Sequence, residues 1–212
     1  MQWTLVIPLK PLTRAKSRLA DTAAHGVRPG LALAFAQDTV VAALACTAVA
    51  DVVVVTDDEL ASRELAALGA RIVADTPQGG LNAALAHGAA VVREMRPAAP
   101  VATLNADLPA LRPAELALVL DAAAEFPRAF LADAAALGTT LLAAGPEREL
   151  RPEFGVDSRA RHRASGAAEL GLAGVDSVRQ DVDTGEDLRA ALALGVGRYT
   201  AAVSAGLLIP RS

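Results

Sequence analysis

The chain has 212 residues, the length of one domain of ordinary size with room for a sizeable core. Apolar residues make up 53%, drawn mostly from Ala, Leu and Val, and aromatics only 3%, which favours helices close-packed on a sheet over an aromatic-rich binding surface. The net charge is −4 with basic residues spread among acidic ones, so there is no basic tail or stripe of the kind that binds nucleic acid.

Taken in order, Thr4–Pro8 (TLVIP) reads as a first strand bounded by Pro8. The apolar run at the N-terminus is too short for a signal peptide. No later stretch approaches the roughly 20 apolar residues that span a bilayer. A cytoplasmic protein without membrane contact is expected. The loop LKPLTRAKSRL follows, carrying Lys10, Arg14, Lys16 and Arg18. Cations on a loop leaving a first strand can receive a polyphosphate, although a solvated loop has the same composition. From Pro29 to Cys46 the pattern predicts a mostly buried helix, and Cys46 reads as a buried, inert thiol.

Asp51–Thr56 (DVVVVT) is a continuous β-branched run, as in a strand covered on both faces. Asp57, Asp58 and Glu59 place negative charge where the dipole of a following helix favours it. Arg71–Ala74 predicts a third strand. The turn TPQGG at 76–80 then leads into a helix running to about Arg96. Gly79 and Gly80 let the backbone approach a ligand and present free N–H groups. His87, inside that helix, reads as a packed or surface side chain.

The stretch Val101–Leu111 (VATLNADLPAL) opens with a fourth strand, Val101–Leu104, and breaks at Asn105-Ala106-Asp107 before a helix over Pro113–Glu125. Ligands of α/β proteins collect at the carboxyl ends of parallel strands. Asp107 is placed there either to hold a cation against phosphates or simply to shape the turn. Ala129–Ala132 and Thr139–Ala144 predict two further strands, the second beginning Gly138-Thr139-Thr140. Ser158 is read as the N-cap of a helix RARHRASGAAEL, and a helix start is also an anion site. Arg159 and Arg163, four apart, share a face; Arg161 points elsewhere and His162 is not expected to ligate. Ser177–Val182 is predicted as the last strand. Asp181 and Asp183, two apart, would project to one side while Thr184 caps the helix GEDLRAALALG. The tail after Gly197 shows little periodicity.

Strands alternating with helices predict a single α/β domain over residues 1–212 with a mainly parallel sheet. Neither a GxGxxG fingerprint nor a Walker A motif is present. Three carboxylates at strand ends, a cationic first loop and a Gly-Gly turn remain.

In this order IPLKPLTRAKSRLA, VVVVTDD, GGLN, ADLPAL, FGVDSRARHRASGA and DVDTGEDL resemble the 2-phospho-L-lactate or phosphoenolpyruvate guanylyltransferases of coenzyme F-420 biosynthesis. The resemblance runs from about Ile7 to Leu194. It implies a Rossmann-like, GT-A-like nucleotidyltransferase fold and transfer from GTP to a small phosphorylated three-carbon acid with release of pyrophosphate. It further implies Mg²⁺ on Asp107, Asp181 and Asp183. The phosphorylated acid would lie on Thr140, Gly155 and Ser158, and the nucleotide on Lys10, Lys16, Arg18, Gly79, Gly80 and Asn82. Asp107, Lys16 and Arg18 would act on the reacting phosphates. No general base is needed, and the three histidines fall outside the matched positions. The abundance of Ala, Arg and Leu suggests a GC-rich source, which leans the acceptor toward phosphoenolpyruvate. The labile product implies functional coupling to the next enzyme of the pathway. Alternatives are a nucleotidyltransferase of the molybdenum-cofactor or sugar-phosphate type, or a nucleotide-binding regulatory protein without chemistry.

Overall fold

A computed structural model describes residues 1–14, 28–76 and 78–207. Those residues carry a seven-stranded sheet in the order β3-β2-β1-β4-β6-β5-β7. The strands are β1 (Trp3–Pro8), β2 (Val49–Val55), β3 (Arg71–Val73), β4 (Val101–Leu104), β5 (Arg128–Ala132), β6 (Thr139–Ala144) and β7 (Ala168–Glu169). β6 runs antiparallel to both of its neighbours, β4 and β5, while the other pairs are parallel. The expected α/β fold with a mainly parallel sheet is therefore present.

The β-branched run behaves as its composition requires. Val52 and Val54 enter one core cluster, and Val53 and Val55 the other, on opposite faces of the sheet. Leu5 and Ile7 of β1 join the first cluster and Val6 the second, so the central strands are covered on both sides. Helices α1 (Arg28–Leu44), α2 (Glu59–Ala67) and α4 (Pro113–Ala123) contribute to the first cluster, and α3 (Leu81–Met95) to the second. Asp58 caps α2 by accepting the Ala61 N–H at 3.0 Å, the structural part read for these acids. Cys46 is buried, and burial pushes its thiol up.

α3 lies close on the sheet because it carries Gly88. A Cβ built there would stand 2.6 Å from Val6 Cγ1 and 2.7 Å from Val55 Cγ2. Periodicity alone could not reveal that contact.

The last quarter of the chain departs from expectation. Residues 177–182 do not form a strand: α6 covers Asp176–Arg179, and irregular chain follows it. Polar anchoring overrides the local β signal. Ser177 donates its N–H to Glu115 Oε2 at 2.9 Å and accepts the Arg112 N–H on Oγ at 3.0 Å. Arg179 donates to the carbonyls of Ala132, Leu170 and Leu172. The helix expected to reach Leu170 stops early, as α5 (Ser158–Ala164). Gly166 at φ 83° turns the chain out so that Ala168–Glu169 can pair with β5. α7 (Gly185–Leu194) starts at Thr184 and ends at Gly195, as the sequence indicated.

The tail forms α8 (Arg198–Leu207), packed on α1. Its start is capped from a distance: buried Asp38 accepts the N–H groups of Tyr199 (3.1 Å) and Thr200 (2.8 Å). A side chain at Gly197 would collide with Asp38, since a Cβ there would lie 2.3 Å from Oδ1.

Gly88→Ala should lower unfolding stability by about 1–3 kcal/mol, the usual cost of forcing a methyl group into a packed interface. Urea unfolding should report it as a lower midpoint with an unchanged m-value; an unchanged midpoint would mean that α3 shifts freely on the sheet.

Candidate active site

β1 and β4 are neighbours, with β2 and β3 beyond one and β6, β5 and β7 beyond the other. The order of connection reverses at this pair, which is where open α/β sheets place ligands. A cavity of about 710 Å³ opens there. Its walls come from the chain leaving β1 at Leu9-Lys10 and the chain leaving β4 at Asn105–Asp107. The segment before α5 and the segment before α7 complete them.

The turn bearing Asp107 is fixed by Thr39 of α1. Thr39 Oγ1 lies 2.8 Å from the Phe35 carbonyl and 3.3 Å from that of Ala106, and it accepts the Leu108 N–H at 3.1 Å. One buried hydroxyl thus grips the backbone on both sides of Asp107. The Asp107 carbonyl in turn accepts the Val182 N–H at 3.1 Å. Val182 is buried in a third apolar cluster with Leu31 and Phe35 of α1, so its neighbours Asp181 and Asp183 turn to the cavity. Asp187 holds the far side, accepting the N–H groups of Asp183 (3.1 Å) and Thr184 (2.7 Å) in a capping box. Asp107, Asp181 and Asp183 therefore line one cavity, although the strand expected to deliver the latter two is absent.

Those carboxylates are hard oxygen donors of the type Mg²⁺ takes, and such an ion commonly keeps one or two carboxylates with substrate phosphates completing its shell. Among the described residues no three His, Cys, Asp or Glu side chains form a group able to hold a metal unaided. The donor set fits an ion that arrives with phosphates; it does not form a prebuilt three-carboxylate cage.

Lys10 lines the cavity, whereas Lys16 and Arg18 lie outside the described residues. Gly79 and Gly80 are exposed and stand immediately before Leu81, which lines the cavity. Gly80, at φ 89°, has the backbone conformation that requires glycine. Asn82, expected beside this turn as a nucleotide contact, also bonds to a distant backbone. Its Nδ2 donates to the Phe154 carbonyl at 3.1 Å and its Oδ1 accepts the Phe154 N–H at 2.8 Å. Asn82 thereby clamps the loop of Gly155 and Ser158 to the start of α3.

That loop has further supports. Arg161 donates to the Phe154 carbonyl at 2.8 Å, and the Glu153 N–H donates to His162 Nε2 at 2.9 Å. Gly155 (φ 116°) and Asp157 (φ 54°) take positive φ, and both line the cavity with Ser158. Ser158 is the first residue of α5 rather than its N-cap; Asp157 holds the cap position without a side-chain hydrogen bond. Arg159 and Arg163 share a face as read, and both pair with Glu169.

Thr140 is buried but is not part of the cavity wall; its neighbour Thr139 is. A bulge lies at the same place. Ala132 pairs with Thr139 but Leu131 pairs with Leu141, so Thr140 is the extra residue of β6. Thr140 Oγ1 meets no hydrogen-bond partner among the described residues.

His162 is fully buried between Phe130 and Phe154, edge-on to the latter at 4.9 Å. Its Nδ1 lies 2.9 Å from Thr139 Oγ1. Burial, with help from the Arg128 and Arg161 charges, holds its pKa at about 4 against an ordinary 6.5. One sequence signal pointed inward: Ser158 and His162 are four apart, a face that the three arginines do not share.

Topology and cavity together describe an α/β fold with a carboxylate-lined ligand site at the switch point of its sheet. Among solved structures, a putative nucleotide-diphospho-sugar transferase from Desulfovibrio desulfuricans G20 superposes with a TM-score of 0.64 at 17% identity, over 90% of this chain and 86% of that one. The chain belongs to the family described as guanylyl transferase CofC like, whose model matches residues 3–205. Among its relatives, the phosphoenolpyruvate guanylyltransferase of Streptomyces avermitilis is 80% identical over 210 residues, 99% of this chain and 97% of the relative. Rv0371c from Mycobacterium tuberculosis H37Rv, solved as a complex with manganese, shares the fold at a TM-score of 0.55 and 22% identity, over 91% of this chain and 99% of that one. Among the described residues no helix is long and apolar enough to cross a membrane.

The sign of the pH dependence follows from His162. Between pH 6.5 and about 4 the unfolded chain takes up a proton that the folded protein refuses, so stability falls as pH drops through that window. Urea midpoints for the unaltered protein and for His162→Asn should converge as pH is lowered from 6.5 toward 4; parallel curves would show that His162 is already charged in the folded state.

Proposed function

We propose that the chain transfers the guanylyl group of GTP to phosphoenolpyruvate, or to 2-phospho-L-lactate, in coenzyme F-420 biosynthesis. The observation that carries this reading is the 80% identity, over nearly the whole chain, to a relative named phosphoenolpyruvate guanylyltransferase. A phosphate oxygen of the acceptor attacks the α-phosphorus of GTP. The new P–O bond forms as the bond to the bridging oxygen breaks, and pyrophosphate leaves with that electron pair. A phosphate nucleophile is already ionised at neutral pH, so alignment and charge are the obstacles rather than proton removal. The burial of neutral His162 away from open solvent accords with a reaction that needs no base.

Both substrates are anions entering a cavity whose described lining includes Asp107, Asp181 and Asp183. Mg²⁺ held by Asp107 with Asp181 and Asp183 would neutralise phosphate charge and the leaving group. Lys10, with Lys16 and Arg18 further along the sequence, takes the remaining phosphate charge. Gly79 and Gly80 present backbone groups to the guanine edge. Gly155 and Ser158 receive the phosphorylated acid, with Thr140 behind them, and the supports of that loop keep it in place before the acid arrives. A compact charged acid suits this pocket, whereas a sugar needs a wider cleft with more hydroxyl partners. Product that is labile in water would pass directly to the next enzyme of the pathway.

Pyrophosphate release from GTP and Mg²⁺ should be strong with phosphoenolpyruvate or 2-phospho-L-lactate and weak with sugar 1-phosphates; the reverse preference would replace this reading with a sugar-phosphate nucleotidyltransferase. Asp107→Asn and Asp183→Asn should each retain the fold by circular dichroism and lose about a hundredfold or more in turnover, the scale of removing a strong electrostatic group. Near-normal turnover by both at limiting Mg²⁺ would remove these residues from the metal site.

A further inference from the structure

We infer that Thr139 is an unassigned binding residue for the phosphorylated acid, its hydroxyl aimed as a donor at an acceptor oxygen by the buried imidazole of His162. The inference rests on the functional reading above for the identity of the acid, but its geometric part stands independently.

The direction of each hydrogen bond can be worked out from one fixed donor. The Glu153 N–H lies 2.9 Å from His162 Nε2 and can only donate, so Nε2 must present its lone pair. In a neutral imidazole the proton then sits on Nδ1. Nδ1 is 2.9 Å from Thr139 Oγ1, so the ring donates and the threonine oxygen accepts. Thr139 therefore keeps its own proton for another partner. No other hydrogen bond of its side chain occurs among the described residues, and Thr139 lines the cavity beside Gly138 and Ser158.

The ring is in turn well held. It lies between Phe130 and Phe154, and its backbone follows Ser158 by one helical turn. A ring in this tautomer is a hydrogen-bond donor to Thr139 whether or not ligand is present. Accepting that bond makes the threonine a better donor, since chains of hydrogen bonds polarise one another. Its proton meets an oxyanion with no rotor left to search. His162 touches no substrate here and is a positioning residue; Thr139 makes the contact. The same relay joins Glu153 to β6, so it also fixes the wall on which Gly155 and Ser158 stand.

The test uses the full chain with GTP, Mg²⁺ and phosphoenolpyruvate, reading pyrophosphate release. Thr139→Val keeps the shape and removes the hydroxyl. It should raise the KM for phosphoenolpyruvate by about tenfold or more, the scale of a lost hydrogen bond to a charged group, with the KM for GTP within about twofold of the unaltered protein. Thr139→Ser should restore the KM. His162→Asn, which can still donate near the Nδ1 position, should perturb the acid KM less than His162→Phe, which keeps an aromatic ring in the slot without the N–H. A purely structural role would instead move both substrates' KM values, or kcat alone, and serine would not rescue it. Imidazole ¹⁵N spectra supply a reading independent of activity: Nδ1 should be the protonated nitrogen at neutral pH, and its resonance should shift when phosphoenolpyruvate is added.

Protonation at Nε2, or an acid KM unchanged in Thr139→Val, would overturn the inference. If the unaltered protein releases no pyrophosphate with any of the acids, the functional reading fails separately. Titration of inorganic phosphate into the labelled protein then decides this one: an Nδ1 shift that Thr139→Val abolishes supports it, and no shift ends it.

Discussion

The site depends first on one backbone hydrogen bond, from the Val182 N–H to the Asp107 carbonyl. It joins two stretches 75 positions apart by residue number (182 − 107) and fixes one acid-bearing turn on the other. Each side is then secured by a buried group that has no contact with the cavity itself. Thr39 holds the Asp107 turn from α1, and Val182 anchors its own segment among Leu31 and Phe35 of the same helix. α1 is therefore the common base for all three aspartates. The backbone beneath each carboxylate is thereby held in place from one helix.

The opposite wall is built by a different device. The loop before α5 contains residues at positive φ and would be free to move if only its own turns held it. Asn82, Arg161 and His162 instead take up its backbone polar groups. Asn82 comes from the helix that begins at the Gly-Gly turn, so the two proposed substrate regions share a rigid link. The cost of ordering this loop is met in folding rather than in binding, which is how preorganised sites gain affinity and alignment together.

Among the described residues lining the cavity, Asp133 and Asp157 join Asp107, Asp181 and Asp183, together with Lys10. Asp133 is occupied in its own turn, accepting the N–H groups of Leu137 and Gly138.

Local sequence was enough for whatever local physics decides. The run DVVVV is a central strand because β-branched side chains with no polar alternation must be covered on both faces. Pro8 closes β1, Thr184 and Asp187 open α7, and Gly195 closes it. The motifs also single out Asp107, Asp181, Asp183, Gly155 and Ser158, and all five line one cavity. Tertiary structure alone decided the rest, wherever a distant partner outweighs a local preference. Ser177 and Arg179 leave the strand that their neighbours suggest because Glu115, Arg112 and three carbonyls claim them. α8 exists because Asp38, far away in sequence, caps it. Which of the two neighbouring threonines meets the cavity, Thr139 and not Thr140, is likewise set by how β6 sits in the sheet. The tautomer of His162 follows from a backbone N–H nine residues earlier, a contact that no motif around the histidine encodes.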